Sequence, residues 1–124
     1  MIILHCLTQQ EWETVKNDKY YGKELLGSSN FIHCASIKDF WRVAPYFKEI
    51  KDPLSLLCID TDKVEAEIKW EDDGNYGIEY PHIYGELNLN AIVDVLPFLR
   101  DEHGDFLLSE ELGVIRWRYK SLFS

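Results

Sequence analysis

Apolar residues open the chain without interruption in "MIILHCL", and the pattern turns polar at "TQQEWETVKN", where Trp12 and Val15 stand three apart as on one helical face. Thr8 followed three positions later by Glu11 predicts a capping box, because the hydroxyl and the carboxylate each satisfy a backbone N–H left unpaired at a helix start. A strand therefore runs straight into a first helix. "KYYGKELLGSSN", with Gly22, Gly27 and paired serines, reads as an irregular exposed connection, and "NFIHCA" as a second strand. Ser36 and Asp39 repeat the capping signal ahead of "IKDFWRVAPYFKEI", where Ile37, Phe40, Trp41, Ala44 and Phe47 form a helical stripe. Pro45 kinks or breaks that helix near residue 44, and Phe40 and Trp41 are expected in the core.

"LSLLCID" is continuously apolar between turn residues, the pattern of a strand covered on both faces. "AEIKW" predicts a further strand and "EDDGNYG" a charged, glycine-containing loop. Pro81 lacks an N–H for a ladder, so "HIYGEL" is expected as an edge strand or one entered through a bulge. "AIVDVLPF" is the last strand. Beyond it "RDEHGD" is a polar hinge, and Leu112, Ile115, Tyr119 and Leu122 recur at helical spacing, weakened by Gly113. Helices and strands alternate only at first, after which strands follow one another. The expected fold is α+β in a single domain, with a mixed or antiparallel sheet of five or six strands and about three helices. Residues 1–98 form its body, and 99–124 a C-terminal extension, helical and packed on the same domain.

Composition narrows the function classes. The 124 residues are ordinary for a globular domain, 46% hydrophobic and 14% aromatic. A net charge of -9 opposes binding to polyanions, so no nucleic-acid partner is expected. Only Arg42, Arg100, Arg116 and Arg118 supply guanidinium groups for a phosphate-bearing ligand. No apolar run approaches a membrane span, and residues 1–7 show no basic segment or cleavage site, so the cytoplasm is the expected location and no membrane partner is read. Cys6, Cys34 and Cys58 are odd in number with no C-x-x-C pair, which argues for reduced thiols.

Two of those cysteines follow a histidine, in "ILHCL" and "FIHCA". In a strand successive side chains point to opposite faces, so His5 goes with Ile3 and Leu7 while Cys6 goes with Ile2 and Leu4. If the two strands are neighbours, the histidines share one face and the cysteines the other. The cysteines then read as packing residues and the histidines as groups in need of partners. His82, among Glu79, Tyr80, Tyr84 and Glu86, is a third candidate for the same cleft. No H-x-H, H-x-x-x-H or H-E-x-x-H spacing occurs, so no metal ligand is assigned.

"ILHCLTQQEWE", "NFIHCAS", "IKWEDDG" and "YPHIYGELNLNAIVDV" together resemble the domain-of-unknown-function family 952 over residues 1 to about 98. Ser28, Ser29 and Asn30 replace its usual acidic-glycine lead-in, and Glu86 its usual proline. The resemblance implies a fold similar to the ADP-ribosyltransferase superfamily, in which His5 would contact the ribose of NAD or a related nucleotide. His33 and His82 stand where an aromatic and an acid would be expected. The catalytic candidates are therefore His5, His33, His82 and Glu71, and the ligand-binding candidates Tyr80, Tyr84, Ser36 and Glu79. The first reading is a nucleotide- or NAD-related transferase, and the second a non-catalytic module for a small ligand or protein partner; oligomeric state is not readable.

Overall fold

The opening apolar run becomes β1 (Ile2–Thr8), followed without a gap by α1 (Gln9–Val15), in a computed structural model whose described residues are 1–107. The predicted capping box forms: Glu11 donates its N–H to the Thr8 hydroxyl, and its carboxylate accepts from the Thr8 N–H. The chain continues through β2 (Tyr20–Tyr21), α2 (Lys23–Ser29), β3 (Ile32–His33), β4 (Ala35–Ser36), α3 (Phe40–Val43) and a 3-10 turn at Ala44–Phe47. Then come β5 (Leu54–Asp60), β6 (Glu67–Glu71), β7 (Tyr80–Tyr84), β8 (Leu87–Asn88), β9 (Ile92–Pro97), and the hairpin of β10 (Leu99–Arg100) and β11 (Phe106–Leu107). The protein is α+β, and every strand pairing among the described residues is antiparallel.

The principal sheet has the order β4-β1-β5-β9 and a second has the order β3-β7-β6. Alternation along β1 feeds two cores. Ile2 and Leu4 pack with Leu56, Cys58, Phe40 and Phe98 on one side, while Ile3 and Leu7 pack with Leu57, Ile59, Ile32, Ile83 and Leu87 on the other. β5 is buried along its whole length, as its unbroken apolar pattern predicts. Each aliphatic side chain so enclosed contributes about 1.5–3 kcal/mol, which makes β1 and β5 the rigid centre on which the rest is hung.

Several expectations fail for identifiable reasons. The stretch read as an irregular connection contains α2, which starts at Gly22, where φ is 107° and an added Cβ would meet Ile32 Cδ1 at 2.5 Å. "NFIHCA" is not one strand. It breaks at Cys34, with β3 pairing to β7 and β4 to β1, so the two His-Cys steps are not paired as adjacent strands. The cysteines consequently part, Cys6 packing against the first core and Cys34 in the second. Burial pushes the Cys6 and Cys58 thiols up to about 12 and raises Cys34 as well, so all three stay protonated near neutral pH.

Pro81 lies in a central strand rather than at an edge. Its carbonyl accepts from the Cys34 N–H at 3.1 Å, so its missing donor faces the point where β3 gives out. The helix expected over residues 37–47 is shorter, because Pro45 tightens its second half into the 3-10 turn. Phe40 is buried as expected, whereas Trp41 is 60% exposed. No helix of the described residues is long and apolar enough to cross a membrane. The helical reading of the C-terminal tail falls on 108–124, outside the described residues.

Candidate functional site

One face of the second sheet carries the chemistry. Because side chains alternate, Ile32, Ile68 and Ile83 turn into the second core while Phe31, His33, Lys69, Glu71, Tyr80, His82 and Tyr84 share the opposite face. His33 and His82 are direct cross-strand partners, with ring centroids 5.4 Å apart and nearly perpendicular planes. Phe31 stacks on His82 at 4.0 Å and meets the edge of His33 at 4.6 Å.

This face borders a cavity of about 820 Å³, within the range of clefts that hold small-molecule ligands. His5, His33, His82, Glu71 and Tyr80 all line it. Tyr84 stands behind it, bonded to Glu71. Ser36 and Glu79 are not among the lining residues. The Ser36 hydroxyl accepts the Asp39 N–H at 3.2 Å and so shapes the turn into α3, and Glu79 is exposed.

The three histidines differ in what their nitrogens do. His5 is 7% exposed and has both engaged: Nδ1 donates to the His33 carbonyl at 2.6 Å, and Nε2 accepts from the Tyr21 hydroxyl at 2.8 Å. Burial lowers its pKa, an effect the bond to the His33 carbonyl opposes. His82 is 3% exposed, and its Nδ1 donates to Glu71 Oε1 at 2.9 Å. His33 is exposed, and among the described residues its ring makes no hydrogen bond. Partial desolvation, and after it the nearby His82, lower its pKa, so the ring is neutral at pH 7.

Glu71 receives two donors, the Tyr84 hydroxyl and the His82 ring. The Tyr84 bond first, and the His82 bond next, hold the Glu71 carboxyl below its ordinary value. The same bond pushes the Tyr84 hydroxyl up to about 12. The carboxylate is thus fixed, ionised and aimed.

Arg42, Tyr46 and Asp73 line the cavity but escaped the sequence reading as members of the site, and Tyr76, a loop aromatic eligible as a pocket wall, lines it too. Arg42 comes from α3, its guanidinium held against the Trp41 ring at 4.4 Å and bonded to Asp39 at 3.4 Å. Its scarcity as one of few arginines was the available signal. Asp73 and Tyr76 come from the loop between β6 and β7, which Asp72 organises by accepting the N–H groups of Tyr76 at 2.9 Å and Gly77 at 2.7 Å. The Tyr76 ring packs over Gly74, 2.0 Å from where a Cβ would stand, so a larger residue there would displace the ring.

Comparison with known proteins adds the fold and the family. The crystal structure of protein CC0527 from Caulobacter crescentus has a TM-score of 0.77 at 23% identity, covering 91% of this chain and 99% of that one. A crystal structure of its double mutant gives the same values, and its solution NMR structure gives 0.73 at 23% identity, covering 91% and 97%. These likenesses are of fold and carry no activity to this chain. No curated protein matches. The family model described as "Protein of unknown function (DUF952)" matches residues 6–95, and the chain belongs to that family.

Proposed function

We propose that the cavity binds a nucleotide-derived or NAD-related molecule and transfers part of it to an acceptor. The observation that carries this reading is the convergence of Arg42, three tyrosine rings, an unbonded neutral imidazole and an oriented carboxylate on one cavity of about 820 Å³. Arg42 is a local cation that offsets the unfavourable net charge for a phosphate. Tyr46, Tyr76 and Tyr80 offer faces on which a base or nicotinamide ring stacks. Glu71, held by Tyr84 and His82, polarises a ribose hydroxyl and favours positive charge developing at the sugar. In the transfer, the bond from the anomeric carbon to the leaving base breaks with its electron pair going to the base. An acceptor oxygen forms the new bond to that carbon, and its proton passes to His33. His5, with no nitrogen to spare, acts as a positioning residue that fixes the backbone at His33.

Titrating NAD and ADP-ribose into the protein while following amide shifts tests the binding step. Movement at Arg42 and Tyr76, lost in Arg42→Ala, and nicotinamide release lost in His33→Ala are the expected results. Silence of all those amides at millimolar ligand would overturn the reading. Shifts without nicotinamide release would favour the second reading, a non-catalytic module, which is supported by the closed hydrogen bonding of His5 and the protonated thiols.

A further inference from the structure

His82 is buried to 3% exposure, yet only one of its nitrogens is used. With Nδ1–H given to Glu71, the lone pair resides on Nε2, which makes no hydrogen bond among the described residues and has Asp73 Oδ2 3.7 Å away. A buried imidazole oriented by a carboxylate, with its second nitrogen directed at another carboxylate, is the arrangement that presents a histidine to a metal ion. Donor atoms of Glu71, Asp73 and His82 also lie within 4.8 Å of one another, a group that the nitrogens of His33 do not join in their present orientation.

Part of the required spacing is already met. Ligands at about 2.1 Å from a tetrahedral ion stand about 3.4 Å apart, and two imidazoles on it have centroids about 5.2 Å apart. Nε2 of His82 and Oδ2 of Asp73 are 3.7 Å apart, and the His33 and His82 centroids 5.4 Å. The Asp73–His82 separation is a few tenths of an ångström outside the ideal and the ring centroids are compatible with a shared ion, while the exposed His33 side chain has to turn to bring a nitrogen toward Nε2 of His82.

We propose that His82, His33 and Asp73 bind one divalent transition-metal ion, zinc being the first candidate, with Glu71 as the outer partner that orients His82. Two imidazoles and one carboxylate suit zinc and its neighbours in the first transition row, and disfavour magnesium and calcium, which prefer all-oxygen shells. A fourth position faces the cavity, where a ligand or water completes the shell. The net charge of -9 attracts cations to the molecule. This inference stands on donor geometry and does not rest on the nucleotide reading. The two readings part in experiment, since an ion bound through His33 consumes the lone pair that the transfer needs and therefore suppresses nicotinamide release.

The test is calorimetric titration of zinc chloride, and in parallel magnesium chloride, into chelator-treated full-length protein without an affinity tag. Saturable zinc uptake near one per chain is expected, with magnesium failing to compete. His33→Ala and Asp73→Asn, both at exposed side chains, should each weaken zinc binding by about tenfold or more. His103→Ala, remote from the cavity, should bind as wild type. Imidazole nitrogen shifts in the wild type should move at His33 and His82 and spare His5. Absence of saturable uptake, or wild-type affinity in both His33→Ala and Asp73→Asn with circular dichroism showing intact folds, would overturn the site.

Discussion

His5 and His33 each precede a cysteine in a short apolar strand, and the tertiary structure gives them opposite fates. His5 sits in the principal sheet, where β1 is paired on both sides, and its ring is consumed by the His33 carbonyl and the Tyr21 hydroxyl. His33 sits on a two-residue strand at the edge of the second sheet, where its ring has no protein partner among the described residues. The difference teaches that an imidazole with both nitrogens bonded inside the protein, as His5 has, is held in place by those bonds and so serves architecture. An imidazole at the edge of a sheet, facing a cavity, keeps its lone pair for a ligand. The two are also coupled, because the architectural ring bonds the backbone of the available one.

The sharpest way to break this comparison is to remove each ring in turn. His5→Ala leaves a cavity and strands the Tyr21 hydroxyl and the His33 carbonyl, and is expected to cost about 2–4 kcal/mol. His33→Ala touches an exposed ring and is expected to stay within about 0.5 kcal/mol of wild type. Urea unfolding monitored by tryptophan fluorescence measures both, and equal losses would erase the distinction.

A smaller effect follows from pH. Burial holds the His5 pKa below the ordinary 6.5, so the unfolded chain takes up a proton more readily than the folded one. Stability present above pH 6.5 is therefore lost as the pH falls through that value toward the folded pKa, with a slope of at most about 1.4 kcal/mol per pH unit. A His5→Gln chain should show a flatter profile between pH 7 and 5, whereas His33→Ala should retain most of the wild-type slope.

The smallest effect sharpens the picture of the open side. Tyr84→Phe removes the largest of the contacts that depress Glu71, so its carboxyl pKa should rise toward the ordinary 4.5 while the His82 bond still holds it below. Carbon NMR titration of the Glu71 carboxyl measures the shift, and an unchanged midpoint would mean that Tyr84 does not govern the carboxylate.

Local signals in the chain were sufficient for the elements whose stability is local or whose burial is complete. Thr8 and Glu11 announced the start of α1, the unbroken apolar run announced β5, and His5, His33 and His82, singled out as candidates for one cleft, line the same cavity. Trp41 misled because helical spacing assigns a face without saying how wide the covering layer is. Here it covers Phe40 and leaves the next residue in water. Pro81 misled because its missing donor harms a central strand only where a neighbour needs it, and β3 ends at that point.

Alternation and capping, read along the chain by itself, determined that an α+β fold would form and which residues were eligible for the site. Only the tertiary structure decided that "NFIHCA" would divide between two sheets, that His5 would be spent on internal bonds, and that Arg42 and Asp73 would join the cavity. The physical reason is that strand pairing is a contact between distant segments. The face a side chain occupies is written in its own strand, but what it faces there is chosen by the partner.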